Sequence, residues 1–220
     1  MDVPLDTRGV AALVDVETTG LRPGFDEIVE LAIVVFSFGR DHGTIGGILD
    51  QYVGLREPSV RISPGAAAVH GLTLDALAGQ AFDDDRIHAL LRHAEVLIAH
   101  NAAFDRGFLT RAYPIAGDKP WLCTMRDIDW YSRGVGARSL QALLALHGIR
   151  TDGAHRAGAD CRAVLQLLTC QPRTGAPGTY LREMLQRRHL HPASSADALS
   201  RPTPRVTLYQ HGRGGVGRSL

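Results

Sequence analysis

One short segment decides the predicted fold of this chain, VAALVDVETTG at residues 10–20. Its apolar part, residues 10–16, has the length and composition of a buried strand, and a turn-forming stretch follows at residues 19–24. Asp15 and Glu17 stand two residues apart, so on a strand both carboxylates point to the same face. Two adjacent anions repel each other unless an arginine or a cation compensates them. The segment therefore predicts a central strand with a charged site at its end.

The neighbouring segments predict a mixed sheet. Residues 28–36 form a second apolar run rich in Val and Ile, and residues 44–53 form a weaker strand candidate. Three consecutive strands joined by short turns indicate an antiparallel meander. After residue 63 the pattern changes to helices alternating with short strands at 96–99 and 121–123. Strands followed by this alternation indicate one mixed sheet covered by helices, an α/β or α+β fold in one domain.

Four polar residues mark predicted helix starts, because their side chains can accept a hydrogen bond from the first turn. Ser63 precedes Pro64, which favours the first helical position. The final core helix is expected from about residue 157 to residue 169, before Pro172. Phe104 and Phe108 lie at helical spacing and are expected in the core. The four predicted N-caps are Ser63, Thr73, Asn101 and Ser139.

Two further segments place acidic residues beside a predicted strand or helix start. LIAHNAAFD at 97–105 puts Asp105 in the first turns of a helix that directly follows a strand, at the rim of the sheet. GAHRAGAD at 153–160 puts His155 in a glycine-containing loop and Asp160 on the buried face of the final helix. A buried aspartate needs a partner. Each segment alone is weak evidence, since an acid near a helix start also offsets the helix dipole.

Taken together, these segments resemble a known family. DVETTG at 15–20, HNAAFD at 100–105 and HRAGAD at 155–160 are similar to the three motifs of the DnaQ-like 3′-to-5′ exonucleases, which carry four acids and a histidine. AVHGLT at 68–73 resembles an element of members related to the epsilon proofreading subunit of bacterial replicative polymerase. The resemblance covers roughly residues 8–170, and the combination is far more specific than any single motif.

The resemblance implies a ribonuclease H-like α/β fold, a mixed sheet flanked by helices, and a two-metal phosphodiester hydrolysis. Carried over residue by residue, the metal ligands would be Asp15, Glu17, Asp105 and Asp160, and His155 would be the general base. An all-oxygen ligand set suits two Mg²⁺ or Mn²⁺ ions and not zinc. An imidazole that titrates near neutrality suits proton transfer from a water molecule. The expected products are 5′-mononucleotides released from a 3′ end.

The resemblance also implies contacts to the terminal nucleotide. Thr18 and Thr19 would bind it, Leu21 would act as an apolar wedge, and His70 and Asn101 would lie nearby. Other roles stay open for some of these residues, since the two threonines could simply terminate a strand and Asn101 could only cap its helix. His100 is expected to make a structural hydrogen bond under the strand end.

Composition limits the class of protein. The chain has 220 residues, 45% hydrophobic and 21% charged, which is typical of a soluble protein with one full core. Apolar runs long enough for a membrane helix are absent from the sequence. Three cysteines without C-x-x-C spacing indicate neither a disulfide framework nor a zinc knuckle. We expect a cytoplasmic protein without a membrane partner.

The charge of the chain is unevenly distributed. Residues 171–220 contain eight arginines and two acids, a net charge of +6, whereas the whole chain carries +1, so residues 1–170 carry −5. We therefore predict an exonuclease domain at 1–170 and a basic extension at 171–220, with a short helix near 180–188. A solvated extension is favoured over a nucleic-acid-binding arm.

Three functions agree with this sequence. The first is a metal-dependent 3′-to-5′ exonuclease on single-stranded DNA, in proofreading or repair, and the second is the same chemistry on short RNA. The third is a non-catalytic nucleic-acid or polymerase-binding module, since a fold does not guarantee activity. A DNA polymerase is a candidate partner, but residues 171–220 match no tether known from the epsilon subunit, so the resemblance does not carry this partnership over. The sequence does not indicate an oligomeric state.

Overall fold

The computed structural model describes residues 8–151, 153, 155–172 and 178–190, with side chains described to residue 187. Within these residues five strands form one sheet in the order β3-β2-β1-β4-β5. The strand from the deciding segment therefore lies at the centre. The strands are β1 (Arg8–Thr18), β2 (Ile28–Gly39), β3 (Ile45–Leu55), β4 (Val96–Ala99) and β5 (Trp121–Cys123).

The sheet is mixed, as the sequence predicts. β1 pairs with β2 and β2 with β3 in antiparallel register, whereas β1 pairs with β4 and β4 with β5 in parallel register. The antiparallel register places Glu17 opposite Glu30, and the pairing shifts by one residue between Glu17 and Thr18. This irregularity bends the end of β1, where the acidic residues lie.

Helices cover both faces of this sheet. The three predicted caps Ser63, Thr73 and Ser139 each accept a backbone N–H from the first turn of their helix. A short 3₁₀ turn occupies Pro114–Ala116. The helices are α1 (Pro64–His70), α2 (Leu74–Leu77), α3 (Asp84–His93), α4 (Ala102–Ala112), α5 (Leu140–Leu146), α6 (Ala157–Thr169) and α7 (Tyr180–Leu190).

The prediction that the Asn101 side chain caps α4 is wrong. Asn101 does stand at the N-cap position, but its backbone is left-handed, with φ of 62° and ψ of 45°, and its side chain makes no cap hydrogen bond. An N-cap residue normally has an extended backbone, which aims its side chain at the first turn. The left-handed conformation directs the Asn101 side chain elsewhere, toward the cleft described below.

Alternating residues of β1 belong to two separate cores. Ala11 and Leu13 pack in a cluster with α5, α6 and α7, whereas Ala12, Val14 and Val16 pack in a cluster with α3 and α4. This follows from the two-residue period of a strand. With both faces covered, β1 is rigidly held, so the residues at its end have defined positions.

The first of these cores includes helix α7, which the sequence predicted near residues 180–188. Tyr180, Leu181 and Met184 are each no more than 1% exposed and pack in the same cluster as Trp130. The hydrophobic core therefore includes residues beyond position 170, while the position of a domain boundary stays a prediction. None of the helices in the described part of the chain is long and apolar enough to cross a membrane.

Candidate active site

Three acidic side chains from two distant segments meet at the end of β1. Asp15 and Glu17 come from the strand, and Asp160 comes from the first turn of α6. One carboxylate oxygen from each lies within 4.8 Å of those of the other two. Because α6 packs across β1 and β2, residues that are about 145 positions apart in the sequence share one site.

A fourth carboxylate, that of Asp105, contacts the end of the same strand. Asp105, on α4, is 2% exposed, and its Oδ1 accepts a hydrogen bond of 3.2 Å from the backbone N–H of Val16. Val16 separates Asp15 from Glu17 in β1, so this bond holds α4 against the end of that strand. All four acids line one cleft of about 320 Å³. The structure thus brings together the four residues that the sequence singled out as metal ligands.

The electrostatics of the cluster favour either protons or a cation. Burial raises the pKa of Glu17 to about 8, with a smaller contribution from Glu30, and burial raises the pKa of Asp105 to about 8. The pKa of Asp15 is raised by burial and then by the charge of Asp105, and the pKa of Asp160 is raised by burial. These acids therefore bind protons unless a positive charge replaces them.

The donor set fits a hard divalent cation. Every ligand in the cluster is a carboxylate oxygen, the kind of donor that Mg²⁺ and Mn²⁺ prefer. Oδ1 of Asp160 is buried and has no hydrogen-bond partner among the described residues, whereas Oδ2 accepts the backbone N–H of His155 at 3.2 Å. A buried polar atom without a partner is costly, and a bound cation would satisfy it.

His155 lines the same cleft as the four acids. Its side chain is exposed, and its backbone is left-handed, with φ of 61°. A positive φ is uncommon for residues other than glycine, costs about 1–3 kcal/mol and persists only where the surroundings hold it. The hydrogen bond to Asp160 is one contact that holds this backbone, so the imidazole stands at the mouth of the cleft beside the carboxylates.

A second, apolar pocket of about 370 Å³ adjoins the cleft and shares Glu17, Val69 and Phe104 with it. The turn after β1 contributes Thr18 and Leu21, and Leu21 is 80% exposed at its edge. The two pockets together make a groove with an acidic end and an apolar end.

A family model described as Exonuclease, of the RNase T type, matches residues 13–168 of the chain. The chain belongs to this exonuclease family. The DNA polymerase III subunit epsilon of Treponema pallidum is 29% identical over 165 residues, which cover 70% of this chain and 73% of that protein. The PolC-type DNA polymerase III of Thermotoga maritima is 28% identical over 169 residues, 70% of this chain but only 11% of the relative.

Solved exonuclease structures share the fold of this exonuclease. Exonuclease X in complex with 5′ overhanging duplex DNA is 25% identical, with a TM-score of 0.53, covering 82% of this chain and 92% of that one. Escherichia coli Exonuclease I in complex with a dT13 oligonucleotide is 20% identical, with a TM-score of 0.58, covering 72% and 40%. The chain thus spans nearly all of the first structure and under half of the second.

The predicted substrate residues of this exonuclease are not equally placed. Leu21 and Thr18 line the apolar pocket, and Asn101 lines the acidic cleft. Thr19 is fully buried, and its hydroxyl accepts the backbone N–H of Glu27 at 3.0 Å, so its side chain closes the turn and lines neither pocket. A side-chain contact from Thr19 to a nucleotide is therefore not what this geometry provides.

His70 lines the apolar pocket and also makes two hydrogen bonds to the neighbouring backbone. Its Nδ1 accepts the backbone N–H of Leu72 at 3.0 Å, so the hydrogen is on Nε2, which donates to the carbonyl oxygen of Thr18 at 3.2 Å. Burial lowers the pKa of His70, which favours this neutral ring. The predicted structural role of His100 agrees with its Nδ1 contact of 2.8 Å to the Thr124 hydroxyl.

Sequence reasoning missed two parts of this exonuclease site. Phe104, expected in the core, is only partly buried and lines both pockets, whereas Phe108 is buried as expected. Glu30 is 1% exposed and binds the guanidinium of Arg156. The signals were present, because Phe104 stands beside Asp105 and Glu30 is an acid inside the apolar run of β2.

Proposed function

We propose that this protein is a metal-dependent 3′-to-5′ exonuclease that removes 5′-mononucleotides from single-stranded DNA. The observation that carries the proposal is the convergence of Asp15, Glu17, Asp105 and Asp160 with His155 in one cleft. A purely structural role does not account for four crowded carboxylates, because their repulsion destabilises a protein that holds no cation.

The four acids would hold two Mg²⁺ or Mn²⁺ ions. When bound, such a pair supplies charge neutralisation for the scissile phosphate and a lower pKa for the attacking water. The carboxylates themselves orient this charge, since β1 and α6 fix Asp15, Glu17 and Asp160 against each other. The Asp105 bond to the Val16 N–H holds its carboxylate against the end of β1, in the same cleft.

His155 would accept the proton of the attacking water. Its imidazole is exposed at the mouth of the cleft, beside the carboxylates that would hold the ions. Histidine is the side chain most often used for such a proton transfer.

The apolar pocket would hold the terminal nucleoside beside the acids. Leu21 and Phe104 offer apolar surface to a base, and the described residues of its lining include no arginine or lysine that would follow a phosphate backbone. Binding of a chain end in a short pocket favours removal of one nucleotide at a time. The epsilon relative and the exonucleases solved with DNA support DNA as the substrate and a place in proofreading or repair.

A DNA polymerase is a proposed partner, supported by relatives that are named as DNA polymerase III proteins. This chain matches 11% of the PolC-type relative, so the polymerase itself would have to be a separate region or a separate protein. A cytoplasmic location, where such a complex works, stays a prediction.

The deciding experiment uses 5′-end-labelled single-stranded DNA and RNA of one sequence, with Mg²⁺, Mn²⁺ or a chelator. We expect a ladder that shortens from the 3′ end on DNA, with a metal present, and no product with Asp15→Asn. A phosphorothioate at the 3′-terminal linkage should delay the ladder. Internal cuts as the main product would contradict an exonuclease, shortening of RNA alone would identify an exoribonuclease, and no product would favour a binding module.

A further inference from the structure

We propose that Glu30 and Arg156 are positioning residues for this reaction. Their ion pair, buried on the Glu30 side, would set the place of the N-terminal end of α6, and with it His155 and Asp160, relative to the acids on β1. The inference rests on the proposed function, because it concerns the geometry of the same site. Neither residue is among those to which the sequence assigned a catalytic role.

Glu30 is held by four hydrogen bonds that all come from the start of α6. Nε of Arg156 lies 3.2 Å from Oε1 and 3.0 Å from Oε2, and Nη2 of Arg156 lies 2.9 Å from Oε1. The backbone N–H of Ala157 donates to Oε2 at 3.2 Å. One carboxylate therefore binds the side chain of one residue and the backbone of the next, which fixes both the position and the direction of the chain there.

Arg156 and Ala157, the two residues that bind Glu30, lie in the sequence between His155 and Asp160. Arg156 directly follows His155, whose backbone is left-handed, and Asp160 lies one helical turn further on. A strained backbone persists only where its surroundings hold it. The Glu30 contacts begin one residue after the strained position, so they anchor the loop on the side from which α6 starts.

Glu30, the other member of the ion pair, connects α6 to the acids on β1. Glu30 lies on β2 directly opposite Glu17, and it is 1% exposed. The same residue therefore contacts α6 and neighbours a predicted metal ligand across the sheet. Displacement of Glu30 or Arg156 would shift α6 relative to β1. The cluster of Asp15, Glu17 and Asp160 depends on the distance between these two elements.

Close packing makes α6 sensitive to such a shift. Gly158 faces β3, and a Cβ atom at this position would lie 2.8 Å from Cγ2 of Val53, closer than real contacts allow. The helix thus packs against Val53 with no room for a side chain at position 158. An ion pair with a buried carboxylate contributes little net stability compared with apolar packing. We therefore assign to the Glu30–Arg156 pair the role of holding the geometry of the site.

The chain offers a matched control in a second arginine–glutamate pair. Nη2 of Arg133 lies 2.6 Å from Oε2 of Glu183, and Oε1 of Glu183 accepts the backbone N–H of Asp129 at 2.9 Å. This pair has the same chemistry as the first, a carboxylate shared by a guanidinium and a backbone N–H. It joins the β5–α5 loop to α7, and neither of its members lines the acidic cleft.

The experiment compares Glu30→Gln, Arg156→Ala and Arg156→Lys with Glu183→Gln in the full chain. Steady-state kinetics on single-stranded DNA, Mn²⁺ binding by calorimetry and thermal unfolding are measured for each. We expect Glu30→Gln and Arg156→Ala to lower kcat by about 10–100-fold with KM within about threefold, and to weaken Mn²⁺ binding. Arg156→Lys should recover only part of the rate, since lysine lacks the planar fork. Glu183→Gln should lower stability while kcat stays within about threefold.

Two results would overturn the positioning role. One is a kcat for Glu30→Gln equal to that of Glu183→Gln at matched stability. The other is Mn²⁺ binding by Glu30→Gln and Arg156→Ala that equals the wild type. If the wild-type protein degrades no substrate, the proposed function fails, and the calorimetric comparison then decides the positioning role by itself. A Glu30→Gln variant that does not fold leaves Arg156→Lys and Arg156→Ala to provide the same comparison.

Discussion

At the scale of single residues, His155 combines an exposed side chain with a held backbone, the properties expected of a base that meets its substrate at the mouth of a cleft. His155→Ala should lower kcat by about 10²–10⁴-fold, because proton transfer is lost. Mn²⁺ binding should be kept, because Asp15, Glu17 and Asp160 remain. Calorimetry and steady-state kinetics check both expectations, with exposed His93 in α3 changed to alanine as a control.

An unchanged rate in His155→Ala would remove this residue from the proposed mechanism. Equal loss of rate in His93→Ala would point to a general effect of losing an imidazole. Loss of Mn²⁺ binding in His155→Ala would instead indicate that the imidazole itself helps to hold the cation, because the backbone N–H that binds Asp160 is kept in this variant.

The acidic cluster makes a prediction about pH and metal. The pKa values of Glu17 and Asp105 are raised to about 8, above their unfolded values near 4, so the folded protein binds more protons than the unfolded chain across this window. Stability without metal should therefore fall as pH rises from about 5 to about 8. The Tm with a chelator, measured by calorimetry at several pH values, should drop by several degrees over this range.

Added Mn²⁺ should reverse most of that loss at pH 8, because the cation binds the ionised acids and replaces their protons. Glu17→Gln should flatten the dependence of Tm on pH, since one of the shifted acids is gone. A Tm that rises steadily between pH 5 and pH 8 without metal would contradict the burial of these charges.

At the scale of elements, α7 is bound to the rest of the molecule by both packing and polar contacts. The Tyr180 hydroxyl lies 2.9 Å from Nε2 of His147 at the end of α5, and Glu183 binds Arg133. Neither contact involves a residue that lines the acidic cleft, so both concern the stability of the fold. We therefore propose that the exonuclease domain needs this helix to be stable.

Met184→Ala tests the contribution of α7. Met184 is fully buried, so its truncation should lower the free energy of unfolding by about 2–5 kcal/mol in urea titration. Exposed Gln186 in the same helix, changed to alanine, should have an effect within about 0.5 kcal/mol. A loss below about 1 kcal/mol for Met184→Ala would mean that α7 is detached from the folded core in solution.

At the scale of the whole molecule, charge is separated along the chain. Residues 1–170 carry −5, whereas residues 191–220 contain four arginines and one aspartate. An acidic body gives modest, salt-sensitive binding of nucleic acid, unless the basic extension contributes phosphate contacts. The sequence predicts a solvated extension for residues 171–220. Within it α7 packs in the core, so a solvated segment without phosphate contacts stays a prediction for residues 191–220.

A chain that ends at residue 190 tests whether residues 191–220 are a solvated segment or contact the phosphates of the substrate. We expect its KM for single-stranded DNA, and the slope of KM against salt, to equal those of the full chain within about twofold, because the four acids and His155 all lie within the first 160 residues. Short and long oligonucleotides should give the same answer. Weaker binding with a shallower salt slope after truncation would assign phosphate contacts to residues 191–220.

Local sequence patterns by themselves determined much of this molecule. The apolar run of β1 predicted a buried strand, and the i, i+2 spacing of Asp15 and Glu17 placed both carboxylates on one side. The capping residues predicted where α1, α2 and α5 begin. These features are legible because strand period and helix caps depend on residues close together in the chain.

Tertiary structure alone decided which distant groups meet. The Glu30–Arg156 pair joins residues 126 positions apart, and α7 joins a core that composition had assigned to the first 170 residues. The left-handed backbone that turns Asn101 away from its cap, and the burial of Thr19 in its own turn, depend on neighbours brought in by folding. Burial and pairing depend on the packed surroundings of a residue, and a linear sequence carries those surroundings only indirectly.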